Sequence, residues 1–360
     1  MKNSLGSSVI LTLFGESHQE CVGAVLDGLT PGIAVDEEFI KKMLEKRKAK
    51  TSLDTPRREA DNFKIVSGVF NGFSTGSPIT IIIPNENTHS GDYDKNLIRP
   101  SHADYVSQIK YHGFADYRGG GHFSGRLTAP IVAAGAIVLK ALQEKGIHIG
   151  THILKCGSFI DNVFQDYEKE IETLNGNDKN IIKDDTGLLD EEILKAKKNL
   201  DSIGGILQTA IIGLPAGVGE PWFSSLEGLL ANAMFSLGGV KGIEFGKGFG
   251  FADGYGSELN DAFIIEDDVV KTKTNNNGGI NGGISNGMPV VFNLAVKPTP
   301  SIGIEQDSID LENHQNTKIK IIGRHDPAII RRLPVVVTCL TAIVLADELE
   351  KKYGVDYFKK

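Results

Sequence analysis

Apolar residues recur along the chain in patterns that predict two long buried helices and several short strands. Residues 128–142 are almost wholly small and apolar, and a second apolar stretch extends to about Lys352, with Pro334 near its start. Stretches of this length and composition are typical of helices inside a protein core. Shorter runs rich in β-branched residues predict strands at 8–13, 63–70, 79–83, 206–212 and 290–296. Together these patterns indicate an α/β or α+β fold.

Other segments refine this picture. Asp36 is predicted to cap an amphipathic helix, and further helices are predicted at 191–200 and 224–237. The continuous isoleucine run within 79–83 predicts a strand that is covered on both faces. By contrast, residues 161–185 are acidic and rich in Asn without periodicity, which predicts an exposed excursion that carries no chemistry.

The two halves of the chain share a weak internal repeat. Gly125 and Arg126 precede the sequence AIVL at 136–139, and Gly323 and Arg324 precede AIVL again at 342–345. A Gly-rich turn, a proline and a β-rich run come before each unit. A duplicated unit predicts two sheets and two buried helices in one pseudo-symmetric domain that comprises residues 1–360.

A glycine-rich stretch directly before the first apolar helix predicts an anion site. Gly119, Gly120 and Gly121 are consecutive, and His122, Ser124 and Arg126 follow at once. Glycines let the backbone approach a ligand closely, and a helix N-terminus attracts negative charge. The spacing resembles a nucleotide-binding P-loop, but Arg126 replaces the required Lys and Leu127 the Ser or Thr, so an NTPase is rejected. The remaining alternative is a structural turn that caps a core helix.

Composition excludes several classes of protein. The formal net charge of −8 argues against a nucleic-acid partner, and no membrane span or secretory signal is predicted. The three cysteines, Cys21, Cys156 and Cys339, are odd in number and have no ligand spacing. This pattern argues against a disulfide framework or a zinc site and indicates a reducing cytoplasm.

Arginine is concentrated in two regions of the chain. Nine of the 38 basic residues are Arg, and none lies between Arg126 and Arg324. The nine are Arg47, Arg57, Arg58, Arg99, Arg118, Arg126, Arg324, Arg331 and Arg332. Guanidinium groups bind carboxylate and phosphate with two parallel hydrogen bonds, so the clusters predict a polyanionic ligand. Chance clustering with ordinary salt bridges is the alternative for any single Arg.

Two histidines lie in settings that suit proton transfer. His18 follows a predicted strand, with Ser17 beside it, and His102 lies three residues after Arg99 and two before Asp104. An imidazole near an anion anchor and an orienting carboxylate is suited to general acid or base catalysis. A lone histidine is otherwise more often a structural residue.

Many ordered motifs together resemble the chorismate synthase family over nearly the whole chain. They are FGESH (14–18), DGLTPGI (27–33), SGVFNG (67–72), RPSHADY (99–105), DYRGGG (116–121), GLPAGVGEPWF (213–223), GGISNG (282–287), KPT (297–299) and GRHDP (323–327). The resemblance implies a β-α-β sandwich, a homotetramer and a cofactor, reduced FMN. It also implies trans 1,4-elimination of phosphate from 5-enolpyruvylshikimate 3-phosphate to give chorismate, without net redox change.

The resemblance also implies roles for individual residues. His18 and His102 resemble general acids toward the departing phosphate and the flavin N1, and Asp326 resembles the carboxylate that serves the flavin N5 proton. Substrate contacts are implied for Ser17, Arg47, Arg99, Ser124, Arg126 and Arg324. FMN contacts are implied for Arg47, His122, Phe123, Ser124, Gly238, Gly239, Gly282, Lys297, Pro298, Thr299, Pro300, Ser301 and Arg324. No metal site is implied.

The chain departs from the family pattern at several positions. HFSGRL at 122–127 replaces a more polar family sequence, and Lys46, Lys48 and Leu53 occupy positions that are basic, mostly Arg, in the family. The loss of these guanidinium groups argues against intrinsic reduction of FMN by NADPH, so a separate flavin reductase or reductant is expected. An FMN-dependent oxidoreductase acting on a related anion and a non-catalytic anion-binding module are the alternative functions.

Overall fold

Two five-stranded sheets enclose a layer of helices. The computed structural model describes residues 2–55, 59–88, 94–176, 181–183, 186–321 and 326–359. The strands are β1 (Ser4–Leu5), β2 (Ile10–Gly15), β3 (Cys21–Asp27), β4 (Lys64–Ser67), β5 (Val69–Phe70), β6 (Phe73–Ser74), β7 (Ile79–Pro84), β8 (His148–Cys156), β9 (Phe159–Ile160), β10 (Gly205–Ile212), β11 (Val240–Phe245), β12 (Phe263–Glu266), β13 (Val269–Thr272), β14 (Ile280–Asn281), β15 (Ile284–Ser285), β16 (Val290–Val296), β17 (Gln306–Asp310) and β18 (Gln315–Ile319). The helices are α1 (Glu37–Arg47), α2 (Asp104–Lys110), α3 (Thr128–Glu144), α4 (Tyr167–Gly176), α5 (Leu188–Lys198), α6 (Leu226–Phe235), α7 (Gly256–Leu259) and α8 (Leu333–Tyr353).

The sheets are antiparallel and lie on opposite sides of α3 and α8. The first has the strand order β1-β2-β3-β7-β4, and the second has the order β11-β16-β10-β8-β9. α3 packs on β3 and β7 of the first sheet, α8 packs on β8 of the second, and the two helices pack on each other. The predicted β-α-β sandwich is therefore confirmed, as are the two sheets and two buried helices expected from the repeat.

The apolar composition of α3 and α8 is explained by their burial. The helical stretches Arg118–Glu144 and Ile329–Tyr353 are long and apolar enough to cross a membrane, but 83% of the apolar window of each is buried inside the protein. Gly135 lies where α3 crosses α8, and a Cβ atom there would be 2.5 Å from the carbonyl oxygen of Cys339. Glycine therefore allows the two backbones to approach closely at this crossing.

Local sequence signals predicted several elements correctly. Asp36 caps α1 by accepting a hydrogen bond from the Phe39 backbone N–H at 3.0 Å. The strand predicted at 290–296 coincides with β16, and Ser225 caps α6 within the helix predicted at 224–237. In these places the capping side chain or the strand pattern acts over only a few residues, so tertiary packing changes little.

Two predictions were wrong. In β7, Ile79, Ile81 and Ile83 face the core, whereas Thr80 and Ile82 are only half-buried, because the helices of this chain cover one face of the antiparallel sheet. The segment 161–185 is not wholly exposed where it is described. It contains α4, which packs on β8 and β10 with Ile171 and Leu174 buried. Two apolar positions in a short helix are too few to produce a periodic pattern.

We expect Gly135→Ala to lower the free energy of unfolding by about 1 to 3 kcal/mol, the usual cost of overpacking a core. The new methyl group would meet the rigid backbone of Cys339, which cannot move aside without separating α3 from α8. Chemical denaturation of the variant and the parent protein would measure the difference.

Gly176→Ala is the matched control, since Gly176 lies at the end of α4 and no atom of the described residues is within 4 Å of a new Cβ atom. It should be neutral or stabilising by up to about 1 kcal/mol, because Ala favours helix more than Gly. Equal stability of the Gly135→Ala variant and the parent would contradict the close-packing argument.

Candidate active site

The glycine-rich stretch forms a tight loop ahead of α3. Gly119, Gly120 and Gly121 have φ angles of 59°, 83° and 54°, in the left-handed region that favours glycine. A Cβ atom on Gly121 would collide with the carbonyl oxygen of Asp116. The Gly121 carbonyl accepts a hydrogen bond from the Ser17 backbone N–H at 3.1 Å. The loop is thus bound to the turn that follows β2.

The loop brings the two predicted histidines to one place. A Cβ atom on Gly119 would lie 2.5 Å from Nε2 of His18 and 2.8 Å from Oγ of Ser17. A Cβ atom on Gly120 would lie 3.5 Å from Nε2 of His102. Both imidazoles therefore present their Nε2 atoms to adjacent glycines, although they come from segments that are far apart in the sequence.

His102 is oriented by a carboxylate and an arginine. Nδ1 of His102 lies 2.7 Å from Oδ1 of Asp104. The same carboxylate accepts two hydrogen bonds from Arg99, from Nη2 to Oδ1 and from Nε to Oδ2, each at 2.7 Å. Burial raises the pKa of Asp104, but hydrogen bonds from Arg99 and His102 outweigh burial and hold this pKa well below its usual range. An ionised Asp104 accepts the Nδ1 proton of His102, which leaves Nε2 for chemistry.

Arg99 also connects this pair to the predicted FMN segment, residues 297–301. Its Nη1 lies 3.3 Å from Oγ of Ser301, and Nζ of Lys297 donates to the Ser101 carbonyl at 2.6 Å. The backbone N–H of Lys297 donates to the carbonyl of Gly239 at 2.8 Å, so Gly238 and Gly239 lie beside this segment. These contacts place the segment next to His102.

A buried charged cluster supports the loop from the other side. Asp61 accepts from Nη2 of Arg47 at 2.7 Å and from Nη1 of Arg126. Arg126 also donates from Nη2 to the Pro84 carbonyl and from Nε to Oδ1 of Asn85, both at 2.9 Å. Burial raises the pKa of Asp61, but the charges of Arg47 and Arg126 keep it below its usual range. Both guanidinium groups are therefore buried and bound to protein atoms.

Asp326 joins this cluster through Arg332. Nη1 of Arg332 lies 3.2 Å from Oδ2 of Asp326, and Nε of Arg332 donates to the Arg47 carbonyl at 3.0 Å. Burial, together with the charges of Arg332 and Arg126, lowers the pKa of Arg47 to about 10 despite the nearby Asp61. The charged side chains at the start of α3 and those at the start of α8 therefore form one connected cluster.

Comparison with known proteins identifies the family to which this arrangement belongs. The family model described as chorismate synthase matches residues 9–349. The chain is 45% identical over 358 residues to the chorismate synthase of Methanobrevibacter smithii, covering 97% of this chain and 96% of the relative. It is 43% identical over 351 residues to that of Thermococcus gammatolerans, covering 96% and 97%. The chain belongs to the chorismate synthase family.

A solved structure supports the same assignment at the level of the fold. A crystal structure of chorismate synthase matches with a TM-score of 0.75 and 28% identity, covering 97% of this chain and 94% of that one. The glycine loop, both histidines and the charged cluster therefore lie within a chorismate synthase fold.

Not every predicted site residue joins this cluster. His122 bonds through Nδ1 to the Gly15 carbonyl at 2.9 Å, and Phe123 is exposed. Ser124 accepts from the Arg126 backbone N–H at 3.3 Å. Gly282 lies in the β14–β15 hairpin, which packs on 217–226 rather than on the histidines. Arg324 falls outside the described residues.

Sequence reasoning gave no individual role to three supporting residues. Asn85 and Asp61 connect segments that are distant along the chain, as does Arg332, which was predicted only as a member of the arginine clusters. No short-range pattern marks them, although a polar residue directly after a buried strand, as Asn85 is after β7, is a weak indication. In the described part of the chain, no group of three or more His, Cys, Asp or Glu side chains is arranged to hold a metal ion.

We expect Asp104→Asn to lower turnover by about 10²-fold, the scale of a displaced catalytic group, because a neutral amide orients His102 less strictly. The variant should also change the dependence of stability on pH. Since the folded-state pKa of Asp104 is depressed, its carboxylate stabilises the fold above about pH 4, the ordinary Asp value. That stabilisation is lost as the pH falls further.

Thermal unfolding at neutral pH and at about pH 3, an acidity below the ordinary Asp pKa, would measure this effect. The stability difference between the parent protein and the variant should be larger at neutral pH. A difference that does not shrink in acid would contradict the assignment of an ionised Asp104.

Proposed function

We propose that this chain converts 5-enolpyruvylshikimate 3-phosphate to chorismate by trans 1,4-elimination of phosphate, with reduced FMN as cofactor. This is a carbon–oxygen lyase reaction and the last common step of aromatic amino acid biosynthesis. The observation that supports it most directly is the approach of the His18 and His102 Nε2 atoms to adjacent glycines of one loop. Family membership supports the reaction, and this geometry supports the proposal that two imidazoles act at one site.

The elimination breaks one C–H and one C–O bond and forms a conjugated diene, and the proton lost from carbon balances the charge of the departing phosphate, so that the net products are chorismate and hydrogen phosphate. A leaving phosphate departs more readily if a proton or hydrogen bond stabilises its developing charge. His102 is suited to this task because Asp104 accepts from Nδ1, which orients the ring and leaves Nε2 to face the glycine loop. In the family, one imidazole serves the departing phosphate and the other serves the flavin N1, and we propose the same division here.

The segment around residues 297–301 fits FMN. Burial, with the nearby Lys241 ammonium group, lowers the pKa of Lys297, so an anionic phosphate there would relieve an unfavourable pairing of like charges. Oγ1 of Thr299 is buried with no hydrogen-bond partner in the described structure, and a Cβ atom on Gly238 would have open space around it. When bound, reduced FMN supplies the electron-rich flavin that the elimination requires.

Substrate binding requires positive charge, since this substrate carries two carboxylates and a phosphate. Ser17, Arg47, Arg99, Ser124, Arg126 and Arg324 remain the proposed contacts. Arg99 is half-buried and directed to Asp104 and Ser301. Arg47 and Arg126 bind Asp61, so a substrate anion that reaches them must replace hydrogen bonds to that carboxylate. Asp326 remains the proposed carboxylate for the flavin N5 proton.

The side chains at the three positions where NADPH would bind support the proposal that this chain depends on a separate flavin reductase or reductant. Nζ of Lys46 donates to the carbonyls of Leu174 and Asn175 at 3.1 and 3.0 Å, at the end of α4. Lys48 pairs with Glu45, and Leu53 is buried. These side chains are engaged within the protein, and none provides the paired donors of a guanidinium group.

A homotetramer in the cytoplasm completes the proposal. Several aromatic side chains are exposed on this chain, including Phe114 at 92%, Trp222 at 84%, Phe223 at 99% and Phe249 at 84%. Exposed aromatic groups in this number are typical of surfaces that further subunits cover. The three cysteines are unpaired, which is in keeping with a reducing compartment.

An anaerobic assay with dithionite-reduced FMN tests the proposed reaction. The parent protein should release phosphate and form chorismate without net consumption of reductant. Each of His18→Ala and His102→Ala should lower turnover by about 10²- to 10⁴-fold, the usual contribution of acid–base catalysis. Consumption of reductant in proportion to product would favour the oxidoreductase alternative, and the absence of any product from the parent protein would favour a binding module. Unchanged turnover in both variants would mean that neither histidine transfers a proton in the reaction.

A second assay addresses the source of electrons. In air, with NADPH and FMN but no other reductant, we expect negligible product from the purified protein, because the nicotinamide cofactor lacks guanidinium anchors. Addition of a purified flavin reductase should start turnover under otherwise identical conditions. Rapid turnover before that addition would mean that the chain reduces FMN itself.

A further inference from the structure

Asn85 makes hydrogen bonds on both sides of His18. It follows β7 directly, and its Nδ2 donates to the carbonyls of Glu16 and Gln19, each at 2.9 Å. The backbone N–H of Asn85 donates to the Glu20 carbonyl at 3.0 Å. All three of these acceptors lie within two residues of His18. The side chain of Asn85 therefore fixes the turn from which the His18 imidazole projects.

The orientation of the Asn85 amide is determined by its partners. Backbone carbonyls can only accept, so the NH₂ group must point to Glu16 and Gln19. Nε of Arg126 can only donate, and it does so to Oδ1 of Asn85 at 2.9 Å. Both N–H groups and the oxygen of the amide are used. An amide is the one small side chain that offers two donors and an acceptor in this arrangement.

The partners of Asn85 are themselves well fixed. Arg126 is buried and bound to Asp61 and to the Pro84 carbonyl. On its other side, the turn of His18 is held by the Ser17 bond to Gly121 and by Nε2 of Gln19, which donates to Oδ2 of Asp116 at 3.0 Å. The turn is therefore clamped between the end of the first sheet and the glycine loop.

We propose that Asn85 is a positioning residue that sets the distance and angle at which His18 Nε2 faces the glycine loop. This inference rests on the proposed function, in which His18 transfers a proton. Asn85 touches no reacting atom in this account and acts through His18. A displacement of about 1 Å in a catalytic group costs on the order of 10²-fold in rate, so a change confined to this amide should be measurable.

Asn85→Asp separates the contacts of the amide with the His18 turn from its contact with Arg126. A carboxylate has the same shape and still accepts from Arg126, but it places an acceptor against the carbonyls of Glu16 and Gln19. The turn should therefore be released while Arg126 keeps its partner. Asn276→Asp is the matched control, because Nδ2 of Asn276 donates to the Leu259 carbonyl at 3.0 Å in a part of the chain that is remote from the histidines.

The kinetic test compares turnover in the parent protein, Asn85→Asp, His18→Ala, the double variant and Asn276→Asp, with reduced FMN supplied chemically. We expect Asn85→Asp to lower kcat by about 10- to 100-fold with a smaller change in KM, and Asn276→Asp to leave both unchanged. The double variant should be no slower than His18→Ala, because residues that act through one group are not additive. An equal loss in the His18→Ala background would overturn the proposal.

A second measurement does not depend on catalysis. The imidazole NMR signals of His18 should shift in Asn85→Asp and in Asn85→Ala, while those of His314, in the exposed turn between β17 and β18, should stay in place. Unchanged His18 signals in both variants would also overturn the proposal. If the parent protein makes no chorismate, the proposed function fails, but this measurement still decides whether Asn85 positions His18.

Discussion

The close crossing of α3 and α8 at Gly135 and Cys339 is the contact on which the site depends. Both helices begin at the same end of the molecule, since Arg47 contacts Thr128 at the start of α3 and Arg332 at the start of α8. A Cβ atom added to Gly125 would also lie 4.0 Å from Cδ1 of Ile329. The positive ends of two helix dipoles thus converge where anionic ligands are proposed to bind.

Positive charge at this end is balanced within the protein. Asp61 lies between Arg47 and Arg126, with all three side chains almost completely buried. Removing ions from water costs free energy that a salt bridge recovers only with good geometry and further hydrogen bonds. Arg126 meets this requirement through Asn85 and Pro84, whereas Nε of Arg47 is buried and has no partner among the residues that the structure describes. Hydrogen bonding within the cluster is therefore more complete at Arg126 than at Arg47.

The two histidines are supported in different ways. His102 is oriented by Asp104 at the start of α2, two residues away, so its support is local. His18 lies in a turn whose carbonyls bind the side chain of Asn85, at the end of a different strand. The glycine loop then brings both rings to one surface without side chains of its own in the way. The proposed proton transfer would therefore depend on two separate supports, one for each histidine.

The sequence by itself determined the local elements and the chemical class of the residues. The Asp36 cap joins residues three positions apart, and β16 and the two apolar helices each carry a pattern within their own segment, which a sequence can reveal. The glycine loop and the histidines were also visible as motifs. The family resemblance explained why they occur in one chain, and the comparisons bear it out.

Only the tertiary structure decided which of these residues meet and which support them. Arg332 and Arg47 are 285 positions apart, and Arg126 and Asp61 are 65 apart, so no local pattern predicts their hydrogen bonds. The same holds for α4, whose Ile171 and Leu174 are buried because β8 and β10 lie beneath them rather than because the helix sequence is strongly apolar. Partner choice over long separations depends on how the sheets and helices pack, and packing is a property of the whole fold.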